Sequence, residues 1–257
     1  MRTKNPLFSG VALFIYILLS GNSTLAQPFQ RSAEAPPTQP LAGDTQALWS
    51  AYERALYDSS VYQRWNVRPL RPLIADERGQ VLVATLTSRD GKIGETITPG
   101  PHGIWVTGVP EVQMICRRFK GDIEMQLRQL LGLPPDADTT RFLVLSVGIG
   151  DLFRPAPDDS ISKRFPCEIP ADNKIPADCG NRFPDATSPS HYEWISTESF
   201  YLHAIPNGYP WTHLGYTYNW TPGADRYGAS EYVIRGNAKA VIVGNAPPSI
   251  YCANAVP

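Results

Sequence analysis

Four histidines (His102, His191, His203, His213) and four cysteines (Cys116, Cys167, Cys179, Cys252) are the residues from which a metal centre or an activated thiol would have to be built. Neither set has the spacing for it. There is no His-Glu-x-x-His and no Cys-x-x-Cys, so zinc ligation has no framework and no metal is expected. His191-Tyr192-Glu193 is half of a zinc-site pattern whose Pro-Cys-x-x-Cys half is missing. The Gly-x-Ser-x-Gly elbow of a serine hydrolase and the phosphate-cradling Gly-x-x-x-x-Gly-Lys are also absent. Val147-Gly148-Ile149-Gly150 opens like a dinucleotide loop but lacks its third glycine.

The densest chemical feature is aromatic. Between Tyr192 and Tyr232 the chain carries Trp194, Phe200, Tyr201, Tyr209, Trp211, Tyr216, Tyr218, Trp220 and Tyr227. Aromatic faces stack on flat apolar surfaces such as sugar rings. Tyr216, Tyr218 and Trp220 alternate with Thr217 and Asn219, so on a strand all three share one face. Facing outward, that face is a ligand platform. Facing inward, which is the commoner use of alternating aromatics, it is core packed under a helix.

A second pattern involves Arg154, Ser196 and Glu231. Asp151-Leu152-Phe153-Arg154-Pro155 follows a strand-like run, Trp194-Ile195-Ser196-Thr197 comes later, and Glu231 opens a further strand-like run. This order resembles the Arg, Ser-Thr-Ser and Glu series of secreted ADP-ribosyltransferase toxins. The resemblance implies an NAD pocket ordered by Arg154 and shaped by the Ser196 segment, with Glu231 stabilising the ribosyl cation as nicotinamide leaves. The chain departs from the pattern in reading Ser-Thr-Glu at 196–198 and Ala229 where a second acid is common. NAD is implied only under this reading.

The elements that would position these residues come from periodicity. Asp44 can cap a helix reaching Ser59, with Leu48, Tyr52, Ala55 and Leu56 on one face. Gln80 to Thr87 and Gly103 to Thr107 read as strands bounded by turns. From Pro110 to Leu131 the residues Val112, Ile115, Cys116, Phe119, Ile123, Leu127 and Leu130 fall within roughly 120° of arc, which predicts one long amphipathic helix across Gly121. Arg141 to Val147 reads as a buried strand, and Leu214 to Trp220 and Tyr232 to Val243 as later strands. Asp151 to Pro189 is a long Pro- and Asp-rich stretch that needs either a function or a staple. The expected fold is α+β: a mixed or antiparallel sheet with the long helix packed on it, rich in loops.

The amino terminus sets the compartment. Arg2 and Lys4 precede an apolar run from Leu7 to Leu19, and Thr24 and Ala26 suit cleavage before Gln27. Residues 1–26 therefore read as an export signal, 27–43 as a flexible Pro-rich lead-in, and 44–257 as a single globular domain of a periplasmic or secreted protein. An even cysteine count behind such a signal implies two disulfides. Three connectivities are open, and Cys167 with Cys179 plus Cys116 with Cys252 is the favoured one. A formal net charge of −1 gives no overall pull toward nucleic acid or an anionic membrane, and no later stretch is apolar enough for a transmembrane span. Taken together, these readings describe an exported, disulfide-bonded binding or interaction module, with a small molecule, sugar or protein as partner. The alternatives are the NAD-using enzyme and a structural envelope component.

Overall fold

The computed structural model describes residues 43–203 and 208–254. The export signal, and the lead-in apart from Gly43, lie outside the described residues. In chain order the elements are α1 (Gly43–Ser60), β1 (Gln80–Thr87), β2 (Thr96–Ile97), β3 (Ile104–Gly108), α2 (Glu111–Cys116), α3 (Ile123–Leu130), β4 (Arg141–Gly148), β5 (Leu152–Phe153), α4 (Pro189–His203), β6 (Tyr216–Tyr218), β7 (Tyr227–Ile234), β8 (Ala240–Ala246) and α5 (Pro248–Ala253).

The strands form one sheet in the order β2-β8-β4-β1-β3-β7-β5, with β6 also on β7, and every pairing is antiparallel. Alternation along each strand separates two faces. One face carries Val81, Val83, Val106, Leu145, Tyr232 and Ile234 into an apolar core that also takes in Ile97 of β2 and Leu152 of β5. Strands near both ends of the order thus share one core, so the sheet is curled. The other face carries Ala84, Phe142 and Ala229, covered by Val112, Cys116, Leu127, Leu130 and Tyr251 from α2, α3 and α5. The fold is α+β, as the sequence predicts.

The single long helix is not there. Its apolar phase is kept, but α2 stops at Cys116 and α3 starts at Ile123. Gly121 adopts φ +79°, in the left-handed region, which no helix interior tolerates. Asp122 then caps the new start by accepting from the Met125 N–H at 2.9 Å. A shared hydrophobic stripe therefore describes two short helices lying on one surface. Two of the later strand expectations also shift. Only Tyr216 to Tyr218 of the 214–220 stretch pairs as strand, and the 232–243 stretch is two strands separated by a turn at Asn237, whose φ is +65°.

The disulfides join segments far apart in the chain and close the long loop. Cys116 is bonded to Cys252, joining α2 to α5 beneath the stacked Phe142 and Tyr251 rings. Cys167 is bonded to Cys179 and closes the middle of the long Pro-rich stretch. Because the first bridge closes a loop of 136 residues, its loss frees a large part of the unfolded chain. Cys116→Ala should lower stability by about 2–5 kcal/mol, read as a fall in denaturant midpoint. An unchanged midpoint would contradict a stabilising role.

Candidate binding cleft

β3 ends one residue beyond its last cross-strand pair with β7, at Gly108. The chain turns through a cis Val109–Pro110 peptide into α2, and the ladder partner that Ser230 would have had is gone. Glu111 takes its place. Its Oε2 accepts from the Ser230 N–H at 3.1 Å and its Oε1 from the Ser230 hydroxyl at 3.4 Å. The same hydroxyl accepts from the Arg71 N–H at 2.8 Å, and Tyr232 donates its phenolic proton to the Arg71 carbonyl. The strand face thereby fastens the segment 71–76 over the ends of β1 and β3, leaving a cleft of about 500 Å³ between them.

Glu111, only 5% exposed, is one wall of this cleft, with Tyr232, Gln80 and Ser146 among the other polar groups. The apolar lining comes from Leu73, Ile74, Val81, Leu82 and Val109. Burial raises the Glu111 carboxyl above its usual range, and the two Ser230 hydrogen bonds and the Arg71 guanidinium oppose that rise. Arg71 lies at the mouth, its Nε 3.7 Å from Glu111 Oε1 and its side chain 55% exposed. The arrangement can bind a ligand by burying an apolar body against a few fixed polar groups.

The residues singled out from sequence lie elsewhere. Arg154 is wholly buried. Its Nε donates to the Ser160 carbonyl at 3.0 Å, Nη1 to that of Gly215 at 3.2 Å, and Nη2 to that of Lys163 at 3.3 Å, while the guanidinium covers the Tyr232 ring at 4.8 Å. Glu231 is on the opposite face of β7 from Tyr232, the face its cross-strand partner Thr107 shares with Trp105. Arg154 and Glu231 are brought within electrostatic reach: both the Glu231 N–H and Arg154 Nη1 bond the Gly215 carbonyl. Ser196 is exposed on α4, a helix rather than a pocket-shaping loop, and donates to the Tyr192 carbonyl. None of the three lines the cleft.

Glu231 Oε2 is sealed from solvent without a hydrogen-bond partner. Desolvation pushes the carboxyl up to about 8, against the pull of Arg154.

Tyr216, Tyr218 and Trp220 are buried. Tyr218 and Trp220 pack on Tyr52, Ala51 and Ala55 of α1 and on Met125 of α3, whose Gln129 carbonyl also accepts from the Trp220 N–H at 3.1 Å, whereas Tyr216 joins Leu214, Val67 and Cys179. A register shift between Tyr216 and Tyr218 divides them between the two clusters. Other aromatics of the rich segment, Trp194 and Trp211, meet Trp105 edge-on or tilted, at 5.7 and 5.5 Å. His203 and His213 approach Nε2 to Nε2 at 3.2 Å. Burial, and then His203, push His213 down to about 3, and burial lowers His203 as well. Among the described residues no group of three metal-ligating side chains converges.

Arg71, Glu111 and Ser230 were not legible as a site. An acidic residue after Pro110 reads as an exposed partner of a helix start, and only the end of β3 beside it turns it inward. No protein-family model, curated protein or solved structure matches the chain.

Glu231 gives the fold a pH signature. Its folded pKa lies above its unfolded one, so the stability tied to it is complete below about pH 4.5 and is lost as pH rises through 8. Glu231→Gln should remove that slope and gain about 1–3 kcal/mol relative to the parent at pH 8. Parallel stability curves for the two proteins from pH 4.5 to 8.5 would refute a buried, protonated Glu231.

Proposed function

We propose that the chain is an exported binding module whose ligand occupies the cleft walled by Glu111 and Arg71. The observation that carries this reading is the cleft itself: about 500 Å³, mostly aliphatic, with a nearly buried carboxylate fixed by Ser230 on one side and a half-exposed guanidinium at its mouth. Cavities of this size with few convergent polar groups and a perturbed acid are where small ligands bind. The aromatic-rich segment contributes Tyr232 to the cleft, while its other rings hold the scaffold. Export is supported by the signal-like amino terminus and by the two disulfides, which persist in oxidising compartments. No helix among the described residues is long and apolar enough to cross a membrane.

A thermal-shift screen of the oxidised chain against small carboxylates, amines, sugars and NAD tests this. A ligand at a hundredfold excess over its Kd adds about 2.7 kcal/mol of stability and raises Tm. Leu82→Trp, which fills the cleft from β1, should abolish the shift while leaving the unliganded Tm within a few degrees. A shift that survives Leu82→Trp would place the binding site elsewhere.

A further inference from the structure

We infer that the cleft takes a small ligand with a carboxylate head and an aliphatic body, the carboxylate docking on Arg71; this rests on the cleft being the binding site. Arg71 is fixed along its backbone, its N–H held by Ser230 Oγ at 2.8 Å and its carbonyl by the Tyr232 hydroxyl. Its side chain is anchored from behind, Nε facing Glu111 Oε1 at 3.7 Å. That leaves the two Nη atoms on a side chain that is 55% exposed, where Nη1 lies 3.9 Å from Met114 Sδ and no carboxylate or carbonyl pairs with either nitrogen among the described residues. A guanidinium whose backbone is fixed and whose Nη edge is open matches a carboxylate in two parallel hydrogen bonds.

A second guanidinium lies near the site. Behind Tyr232 the Arg154 guanidinium is buried without a directly paired carboxylate among the described residues. Two guanidinium groups therefore stand around Glu111, whose burial already disfavours its charged form. The other carboxylate of the cleft, Asp76, is occupied at the start of β1, where its Oδ1 accepts from the Arg78 and Gln80 N–H groups at 2.9 and 2.8 Å. Arg71 is held on β7, and β3 lies between β1 and β7. The aliphatic wall between them thus crosses at least two strand spacings, roughly 10 Å, which is room for a short alkyl chain.

A sugar is a poorer match. Among the described residues the one aromatic ring lining the cleft is that of Tyr232, and a face of it is covered by Arg154.

Calorimetric titration of the oxidised chain with octanoate, octanol and octylamine decides the matter. Octanoate should bind at least ten times more tightly than octanol or octylamine. Arg71→Ala should cancel that preference while octanol binding is retained, showing that the cleft is still formed. Arg71→Lys, which keeps the charge but not the fork, should restore only part of it. A free-acid dipeptide ending in Leu, tested beside its amide, distinguishes a peptide carboxyl terminus from a fatty acid as the source of the head group. Equal affinity for octanoate and octanol, or an octanoate preference that survives Arg71→Ala, overturns the carboxylate assignment. The cleft reading falls separately, if ligands that raise Tm are undisturbed by Leu82→Trp.

Discussion

A guanidinium with no access to water organises the half of this protein that forms the cleft. Arg154 leaves the end of β5 and spends its nitrogens on the backbone: carbonyls of residues 160, 161 and 163 on one side, Gly215 on another, and the Tyr232 hydroxyl between them. A buried charge without these acceptors would cost several kcal/mol, so the loop that supplies them is constrained to wind around it. Gly215 is bound to the same requirement: a Cβ there would lie 2.4 Å from Arg154 Cδ, and its φ of +79° already suits glycine. The loop carries the constraint onward, its Ile161 and Arg164 carbonyls accepting from the Leu73 and Leu70 N–H groups. Through those bonds and the Tyr232 hydroxyl, Arg154 positions the segment that bears Arg71.

The opposite wall depends on a strand that stops early. Were β3 to continue past Gly108, Ser230 would find a backbone carbonyl and Glu111 would have no reason to be inside. Ending it exposes one N–H of β7, and a carboxylate fills the position. A buried carboxylate that accepts two hydrogen bonds and stands 3.7 Å from a guanidinium is tolerable, but it stays partly undersolvated. The resulting raised pKa and open Arg71 edge are the properties of a binding surface. The core elsewhere is ordinary by comparison, aliphatic inside the curled sheet and sealed outside it by α2, α3 and α5.

What was readable in the sequence was what depends on local pattern. The β-branched run at 80–87 and the apolar strand at 141–147 are β1 and β4, which pair along their whole length. The helix beginning near Asp44 is α1, with Tyr52 on its buried face as its spacing implies. The stripe on 110–131 was real, but periodicity cannot distinguish one helix from two that share a surface, and Gly121 decided the matter. Arg154 stood out in the sequence, though for a catalytic role; the structure gives it backbone carbonyls as partners. Arg71, Glu111 and Ser230 come from three separate segments and meet only because of where β3 ends, which no local pattern reports.

The central claim is that Arg154 positions the cleft segment through the loop wound around it. Hydrogen exchange on Arg154→Lys tests it most directly, because lysine keeps the charge but cannot bond several carbonyls in one plane. The account predicts that the Leu70 and Leu73 amides exchange at least ten times faster in the variant, while amides of β1 and β4 keep their protection relative to global unfolding. Unchanged protection at Leu70 and Leu73 would contradict it, and would mean that the segment bearing Arg71 is held without Arg154.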